Sequence, residues 1–535
     1  MKFDPHYHKY SSNRNLIYGK NGMVASTHPL ASQAGIEVMK KGGNAIDAAI
    51  ATAACLTVVE PTSNGIGGDA FALIWANGKV HGLNASGFSP RALTLDKIKS
   101  LGFESMPVYG FTPVTVPGVP AAWAEMSQKF GKLSLKDSLE PAIQIAKEGH
   151  PLSPTVAKYW DRAFRIYSKN LKGEEFENWF KVFAPEGRAP RAGEIWKSIN
   201  HGNTLEEIGR TDGRSFYEGD LAERIDKFSK KIGGYISKED LKGYKSEWVE
   251  PIKVNYRGYD VWEIPPNGHG IVALMALNIL NNFDLVERDS VNTQHILIEA
   301  MKLAFADGLE YIADHRYMKY TAEELLSPDY GRERSKLIGH TASLPEAGEP
   351  HSGGTVYFAA ADNQGNMISY IQSNYMGFGS GLVVPETGIA LHNRGNNFNT
   401  IENHPNCVGP NKKPYHTIIP GFLSKDGNPV GPFGVMGAFM QPQGHVQVVT
   451  NTVDFHLNPQ DALDAPRWQW TKEKTVAIEQ NYPNDLALAL LRRGHNIIVE
   501  AERGSFGRGQ IIWRDENGVL CGGTESRADG FIGVY

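Results

Sequence analysis

Cysteine is scarce in this chain: three among 535 residues, at Cys55, Cys407 and Cys521, odd in number and far apart. That excludes a disulfide framework and fits a reducing, cytoplasmic setting. Long apolar runs are missing too. The most apolar stretch, "AAIATAACLTVV" (48–59), has 12 residues between Asp47 and Glu60. It is too short to span a bilayer and reads as a buried helix, so no membrane association is expected. The opening "MKFDPHYHKYSSNRN" has no apolar core of a secretory signal. Basic residues are not in excess: 54 Lys and Arg against 59 Asp and Glu give a net charge of −5, which is no footprint for nucleic acid. No low-complexity tract and no fixed-period repeat occurs. G-x-S-x-G, H-E-x-x-H and C-x-x-C are all absent, which leaves a nucleophile-elbow hydrolase and the common zinc patterns unsupported. His6 and His8 have no third ligand at a sensible spacing, so neither a metal nor an organic cofactor is expected.

What remains is ordinary globular composition, 41% apolar and 21% charged, on a chain long enough for a large layered core. The first part reads as helices. "HPLASQAGIEVMKKGGN" ends in lysines and then Gly42-Gly43, a left-handed stop; "NAIDAAIATAACLTVV" follows with Asn44 as its cap. Residues 291–314 place Ile296, Leu297, Ala300, Leu303 and Ala304 on one helical stripe. Residues 150–250, richer in Lys, Glu and aromatics, read as peripheral helices. From Thr355 onward the texture changes to short strands and glycine turns: "TVYFAAAD", "NMISYIQS", "GLVV", "HTIIPGF" and "QIIWRDENGVLCGG". Helices first and sheet later suggest layers stacked in one α+β unit.

Several motifs have plain explanations. "GIGGDA" (65–70) matches a dinucleotide fingerprint formally, but Pro61 interrupts the approach and the strand-like "FALIW" follows, so it reads as a glycine turn allowing close backbone approach. Asp307, Glu310 and Asp314 could form a carboxylate pair or a solvated, capping face. "HNRGNNFN" (392–399) reads only as a turn.

Thr355 stands apart. "TVYFAAAD" and "MISYIQS" flank "NQGN", a four-residue loop with Gly365 and hence a hairpin. Pairing Asp362 with Met367 sets Val356 opposite Ser373 and Thr355 opposite Asn374. A slip of one leaves the consequence intact: the start of one strand meets a hydroxyl at the end of the next. An internal threonine needs a base, and no histidine has the right context. Cutting the chain before Thr355 would supply one, since the new α-amine titrates at about 7.7–8.0. Gly353-Gly354 would permit the strained backbone through which Thr355 Oγ attacks the Gly354 carbonyl. The alternative is that Thr355 merely opens a strand after a linker.

The ordered runs "GGNAIDAAIATAACLTVVEPTSNGIGGDAF", "VPGVPAAW", "EPAIQIAKEG", "EDLKGY", "EAMKLAFADGLEYIAD", "GGTVYFAAADNQGNMIS", "GFGSGLVVPETGI" and "ADGFIGVY" resemble the γ-glutamyltranspeptidase (glutathione hydrolase) family from about Gly22 to Tyr535. The resemblance implies a four-layer αββα sandwich of the N-terminal-nucleophile hydrolase type. It implies a precursor cut at Gly354–Thr355 into a large subunit, 1–354, with the α-rich half of the core, and a small catalytic subunit, 355–535, with the β-rich half. These would stay together as a heterodimer, with room for a dimer of heterodimers, and act on a small-molecule amide. Thr355 falls where the family has its cleaving and catalytic threonine, and Ser373 where a second hydroxyl orients it. Gly437 and Ala438 fall where two backbone N–H groups form the oxyanion hole.

The substrate-reading positions depart from the family pattern. Ser86 stands where an arginine would hold the γ-glutamyl α-carboxylate, with Arg91 five residues on. Arg394 and Asn397 replace the groups that hold the α-amine, Tyr375 replaces an asparagine, and His416-Thr417 replace a carboxylate-binding serine pair. This points to an acyl group with a carboxylate but no α-amine, such as glutaryl or oxamyl, as in the branch of cephalosporin acylases, YwrD-type proteins and oxamate amidohydrolases. The expected activity is amide hydrolysis or acyl transfer through an acyl-threonine. The alternatives are an oxamate-type amidohydrolase, or an uncleaved, inactive relative that only binds a small acid.

Overall fold

The structure, a computed structural model, describes residues 14–345 and 354–535; His6, His8 and Gly353 lie outside the described residues. Two seven-stranded sheets form its centre. One runs, edge to edge, through Ile17–Gly19, Leu520–Thr524, Arg508–Arg514, Asn428–Met436, Gly421–Lys425, Tyr259–Glu263 and Ile252–Tyr256. The other runs through Phe531–Val534, Gly22–Ser26, Gly354–Asp362, Met367–Tyr375, Asp69–Ala76, Lys79–Ala85 and Glu247–Val249. Neighbouring strands are antiparallel throughout.

The period-2 geometry of a strand sends alternate side chains to opposite faces, and the second sheet uses both. Tyr357, Ala359 and Ala361 face the other sheet in a core with Phe71, Met367, Ile371, Phe422, Met436 and Ile512. Val356, Phe358 and Ala360 face a helical layer built from Pro29–Lys40, Ala45–Val59, Val119–Phe130 and Leu135–Glu148. A second helical layer, Gly270–Leu280, Val291–Tyr311 and Met440–Val453, covers the first sheet. The order is therefore helix, sheet, sheet, helix, the αββα sandwich expected.

Local chemistry sets the helix ends as read from the sequence. Asn44 and Asp47 form a reciprocal capping box at the start of Ala45–Val59, a helix whose every residue is buried. Gly42 supplies the left-handed turn at φ 102° after the preceding helix. Val291–Tyr311 is buried nearly all round from Thr293 to Gly308, wider than one stripe. Residues 150–250 are mainly helical, pack into the same core and add the edge strand Glu247–Val249 to the second sheet. "GLVV" is not a strand: Leu382–Val384 run through a buried loop with one isolated bridge, Val383 to Ala390. "HTIIPGF" becomes a strand only at Gly421. Segments before and after Thr355 both supply strands to both sheets and helices to the core, so they interleave. The three cysteines are unpaired. Among the described residues, no helix is long and apolar enough to cross a membrane.

The hairpin that begins at Gly354 forms, with its register displaced by one. Ala361, not Asp362, pairs with Met367, and Val356 pairs with Gln372. Asp362 is used to close the loop: its N–H donates to Asn366 O (3.0 Å), and its carboxylate accepts from the Gln364 and Asn366 N–H groups and from Ala45 N–H. The loop proper is thus Asn363–Gly365, with Gly365 at φ 88°. A bulge between Gly354 and Val356 then restores Gly354 to a place opposite Tyr375. Thr355 lies within that bulge.

Candidate active site

The bulge turns Thr355 toward the end of the neighbouring strand. Its Oγ1 lies 3.1 Å from Ser373 Oγ, and both residues are buried. Ser373 Oγ in turn accepts the Tyr375 N–H at 2.8 Å. That bond belongs to a tight reversal in which Tyr375 adopts φ 73°, a left-handed conformation strained for an aromatic residue. Thr355 and Ser373 are thus held by backbone geometry rather than by a surface loop.

The second sheet brings its own special backbone to this place. Gly434 packs so closely on the Tyr357 ring that a Cβ there would lie 2.4 Å from it. Three residues later the strand ends in a turn with Gly437 at φ 144° and Ala438 at φ 49°, directly before the Met440–Val453 helix. Their carbonyls accept the Met440 and Gln441 N–H groups. Among the described residues, nothing accepts the Gly437 or Ala438 N–H. Gly437 lines a cavity of about 300 Å³ together with Ser63, Met376, Arg162 and Arg508. Ser63 O accepts the Asn374 N–H at 3.2 Å, so the cavity adjoins the Ser373 end of the hairpin.

Beside Ser373, its cross-strand partner Asp69 organises a buried polar cluster. Asp69 Oδ2 is 3.0 Å from His416 Nε2, 3.2 Å from His392 Nδ1 and 3.7 Å from Arg394 Nε, and Oδ1 accepts the Gly87 N–H. Burial alone would push this carboxyl up, but His392 and His416 hold it well below the usual carboxylate range. Burial, reinforced by Arg394, draws His416 down to about 3, so it is a neutral donor to Asp69. Burial lowers Arg394 to about 10, opposed by Asp69, and it stays charged at neutral pH. Its guanidinium stacks over the Tyr375 ring at 4.6 Å and donates Nη1 to Thr417 Oγ1 at 2.6 Å. Nη2 is buried without a hydrogen-bond partner, as is Nδ2 of Asn397 on the same short turn, Arg394–Asn397. Burial pushes the Tyr375 phenol up to about 12.

Thr355, Ser373, Tyr375, Arg394, Asn397, His416 and Thr417 are therefore gathered around one strand end, with Gly437 and Ala438 on the facing sheet. His416 is committed to Asp69 rather than free to meet a ligand. Ser86 is buried, donating to Asn84 Oδ1 (2.7 Å) within a network that includes Asn267. Arg91 is not brought in: it is solvent-exposed, 3.8 Å from Asp240 beside a separate small crevice. Asp69 and His392 were missed in the sequence. The signal for Asp69 was a carboxylate opening an otherwise apolar strand, "DAFALIWA".

The plain reading of "GIGGDA" fits its surroundings, whereas Asp307 and Asp314 are buried rather than on a solvated face. "GIGGDA" is a close-approach turn, where a Cβ at Gly67 would sit 2.3 Å from Ala390 O. Asp307 pairs with Arg334, and Asp314 with Arg316. Among the described residues, one buried group has a metal-like donor set, His295, Glu299 and His495. Within it Lys302 Nζ meets Glu299 at 2.7 Å and His295 Nδ1 lies 2.8 Å from His495 Nε2, while His495 Nδ1 is buried without a hydrogen-bond partner.

Comparisons with known proteins agree on one lineage. The family model described as gamma-glutamyltranspeptidase matches residues 31–535. The glutathione hydrolase-like YwrD proenzyme of Bacillus subtilis is 35% identical over 529 residues, 97% of this chain and 99% of that protein. The oxamate amidohydrolase proenzyme of Klebsiella pneumoniae is 30% identical over 528 residues, 96% and 98% of the two chains. The crystal structure of cephalosporin acylase from Bacillus halodurans is 57% identical, with a TM-score of 0.98, covering 100% of this chain and 99% of that one.

Proposed function

The chain belongs to the gamma-glutamyltranspeptidase family, and on that premise we propose that it is a self-processing N-terminal-nucleophile amide hydrolase with Thr355 as nucleophile. The observation that carries this reading is the Thr355–Ser373 pair, 3.1 Å apart at the head of a buried strand beside the Gly437–Ala438 turn. Scission of the Gly354–Thr355 bond leaves two segments, 1–354 and 355–535, that cannot separate without dismantling both sheets. They form a heterodimer.

The chemistry then follows from the new N-terminus. The Thr355 α-amine takes the hydroxyl proton as Oγ1 attacks the amide carbonyl. Ser373 fixes the hydroxyl's direction. The Gly437 and Ala438 N–H groups, fixed by their turn and without another acceptor, stabilise the oxyanion. The protonated amine delivers its proton to the departing amine as the C–N bond breaks, leaving a threonine ester. Water, activated by the same amine, cleaves the ester and releases the acid; an acceptor amine in place of water gives acyl transfer.

The acyl group of this reading carries a carboxylate and lacks an α-ammonium. Arg394 offers buried, unpartnered N–H donors with Thr417 beside it, whereas the one nearby carboxylate, Asp69, is already occupied by Gly87, His392, His416 and Arg394. Glutaryl or oxamyl amides fit that balance better than γ-glutamyl ones. A denaturing gel of the purified protein tests the first claim: fragments of 354 and 181 residues are expected, and Thr355→Ala should give one intact, inactive chain. A single band from the unaltered protein after long incubation would refute self-processing. Initial rates on glutaryl, oxamyl and γ-glutamyl anilides test the second claim.

A further inference from the structure

The cavity beside Gly437 contains chemistry that the Arg394 cluster does not use. Neither Arg394, His416 nor Thr417 lines it, yet it shares Gly437 with the oxyanion turn. An occupant would therefore touch the turn at Gly437 without touching Arg394, His416 or Thr417. At about 300 Å³ it sits at the small end of ligand pockets, enough for a ring or a compact dipeptide. Its walls include Tyr109, Tyr159 and Met376, giving an aromatic and apolar body.

Its charges are unequal. Arg508 is used: Nη1 donates to buried Glu60 at 3.0 Å and its guanidinium stacks on Tyr159 at 5.0 Å. Glu502, the lining carboxylate, is held by Lys158 at 2.7 Å and accepts the Gly504 N–H. Arg162, exposed on the helix Pro154–Asn170, lines the cavity and helps Lys158 hold the Glu502 carboxyl down, but makes no direct ion pair among the described residues. Deeper in, Arg508 Nε and Thr62 Oγ1 are buried without hydrogen-bond partners. Cationic and neutral donors thus converge on an aromatic chamber whose one carboxylate is already neutralised.

We propose that this cavity is the leaving-amine subsite and takes an amine that carries a carboxylate on an apolar or aromatic body, with Arg162 recognising that carboxylate. The inference rests on Thr355 being the nucleophile. Arginine suits the task because its planar fork meets a carboxylate with two parallel N–H donors, a geometry lysine cannot reproduce.

The test fixes the acyl group as glutaryl and compares two leaving amines, 4-nitroaniline and 3-carboxy-4-nitroaniline. The ratio of their kcat/KM values should favour the carboxylated amine, and Arg162→Gln should lower that ratio roughly 10- to 100-fold, the scale of one charge-assisted pair. Arg162→Lys should recover part of it. An unchanged ratio alongside normal self-cleavage would overturn the subsite while leaving the nucleophile intact. So would a change in preference among acyl groups on one amine, because that would move the cavity to the acyl side. Direct binding of 3-aminobenzoate and aniline to the full protein gives a readout that needs no turnover. Arg162→Gln should weaken the first and not the second, and equal binding of both by the unaltered protein would overturn the proposal.

Discussion

The hydroxyls of Thr355 and Ser373 meet at 3.1 Å because a bulge takes up one residue between Gly354 and Val356. Without it, the register that holds from Val356 to Ala361 would carry on to the strand end and move Gly354 away from Tyr375. Ser373 also fixes the Tyr375 N–H. Ser373→Ala should therefore slow both self-cleavage and hydrolysis, roughly 10- to 100-fold in kcat with KM little changed, as expected on losing one orienting hydrogen bond. Ser373→Thr should restore much of the rate. Single-turnover cleavage on gels and steady-state kinetics read the two effects separately.

Asp69 carries more than one load. It fixes His416, His392 and Arg394 on one carboxylate in a fully buried place. Asp69→Asn keeps the shape but removes the charge, leaving the Arg394 guanidinium buried without a counter-ion. Removing one partner of a buried pair costs about 3–5 kcal/mol, so the variant should show a markedly lower thermal midpoint. Self-cleavage should slow as well, since Asp69 lies directly across the ladder from Ser373. A midpoint unchanged from the parent protein would mean that Arg394 has another anion.

Much of this arrangement was legible in the sequence, and what was not has physical reasons. The capping box at Asn44, the stop at Gly42 and the Thr355 hairpin are local, written within a few residues of one another. The hairpin register failed by one because Asp362 spends its side chain closing the loop, a choice among near-equal turn types that spacing alone does not decide. "GLVV" is apolar because its loop is buried, not because it is a strand. Asp69 could not be given a role because its partners arrive from positions 392, 394 and 416, and only the folded sheets bring them together. Arg91 illustrates the converse: closeness in sequence to Ser86 did not place it near the site.

The oxyanion turn predicts an unequal pair of variants. Ala438 sits at φ 49°, which glycine adopts at no steric cost, and its role here is carried by backbone groups alone. Ala438→Gly should retain self-cleavage and hydrolysis within a few-fold. Gly437 sits at φ 144°, with Gly507 Cα 3.2 Å and Met440 Cβ 3.3 Å from where a Cβ would stand. Gly437→Val must move the turn, and with it a donor whose removal costs on the order of 100- to 1,000-fold in kcat. Hydrolysis rates of the two purified variants decide this. Equal losses would show that the side chain at 438, not the backbone, matters.

Acid sensitivity should begin well above the carboxylate range, because the core holds several neutral histidines. Burial lowers His28, His150, His201 and His495 to about 4, and His445 to about 3. In the unfolded chain each titrates near 6.5. Between those values the unfolded state binds more protons than the folded one, so stability falls as pH falls. A group with a lowered folded value loses nothing above its unfolded value, so stability should be flat with respect to these groups above about pH 7. Glu525, held at about 2 by Arg467 and Arg527 against the opposing effect of burial, adds to the loss as pH falls from the ordinary glutamate value of 4.5 toward 2. Thermal midpoints measured from pH 8 to pH 4 should therefore hold steady, then drop through the histidine window before Glu525 contributes, with the Glu60 and Glu263 carboxyls, pushed up by burial, opposing part of the fall. Substituting the His445 imidazole, which meets Glu263 at 2.6 Å, with glutamine should make that drop shallower, at the expense of a lower midpoint near neutrality. A profile that stays flat down to pH 5 would contradict neutral burial of these rings.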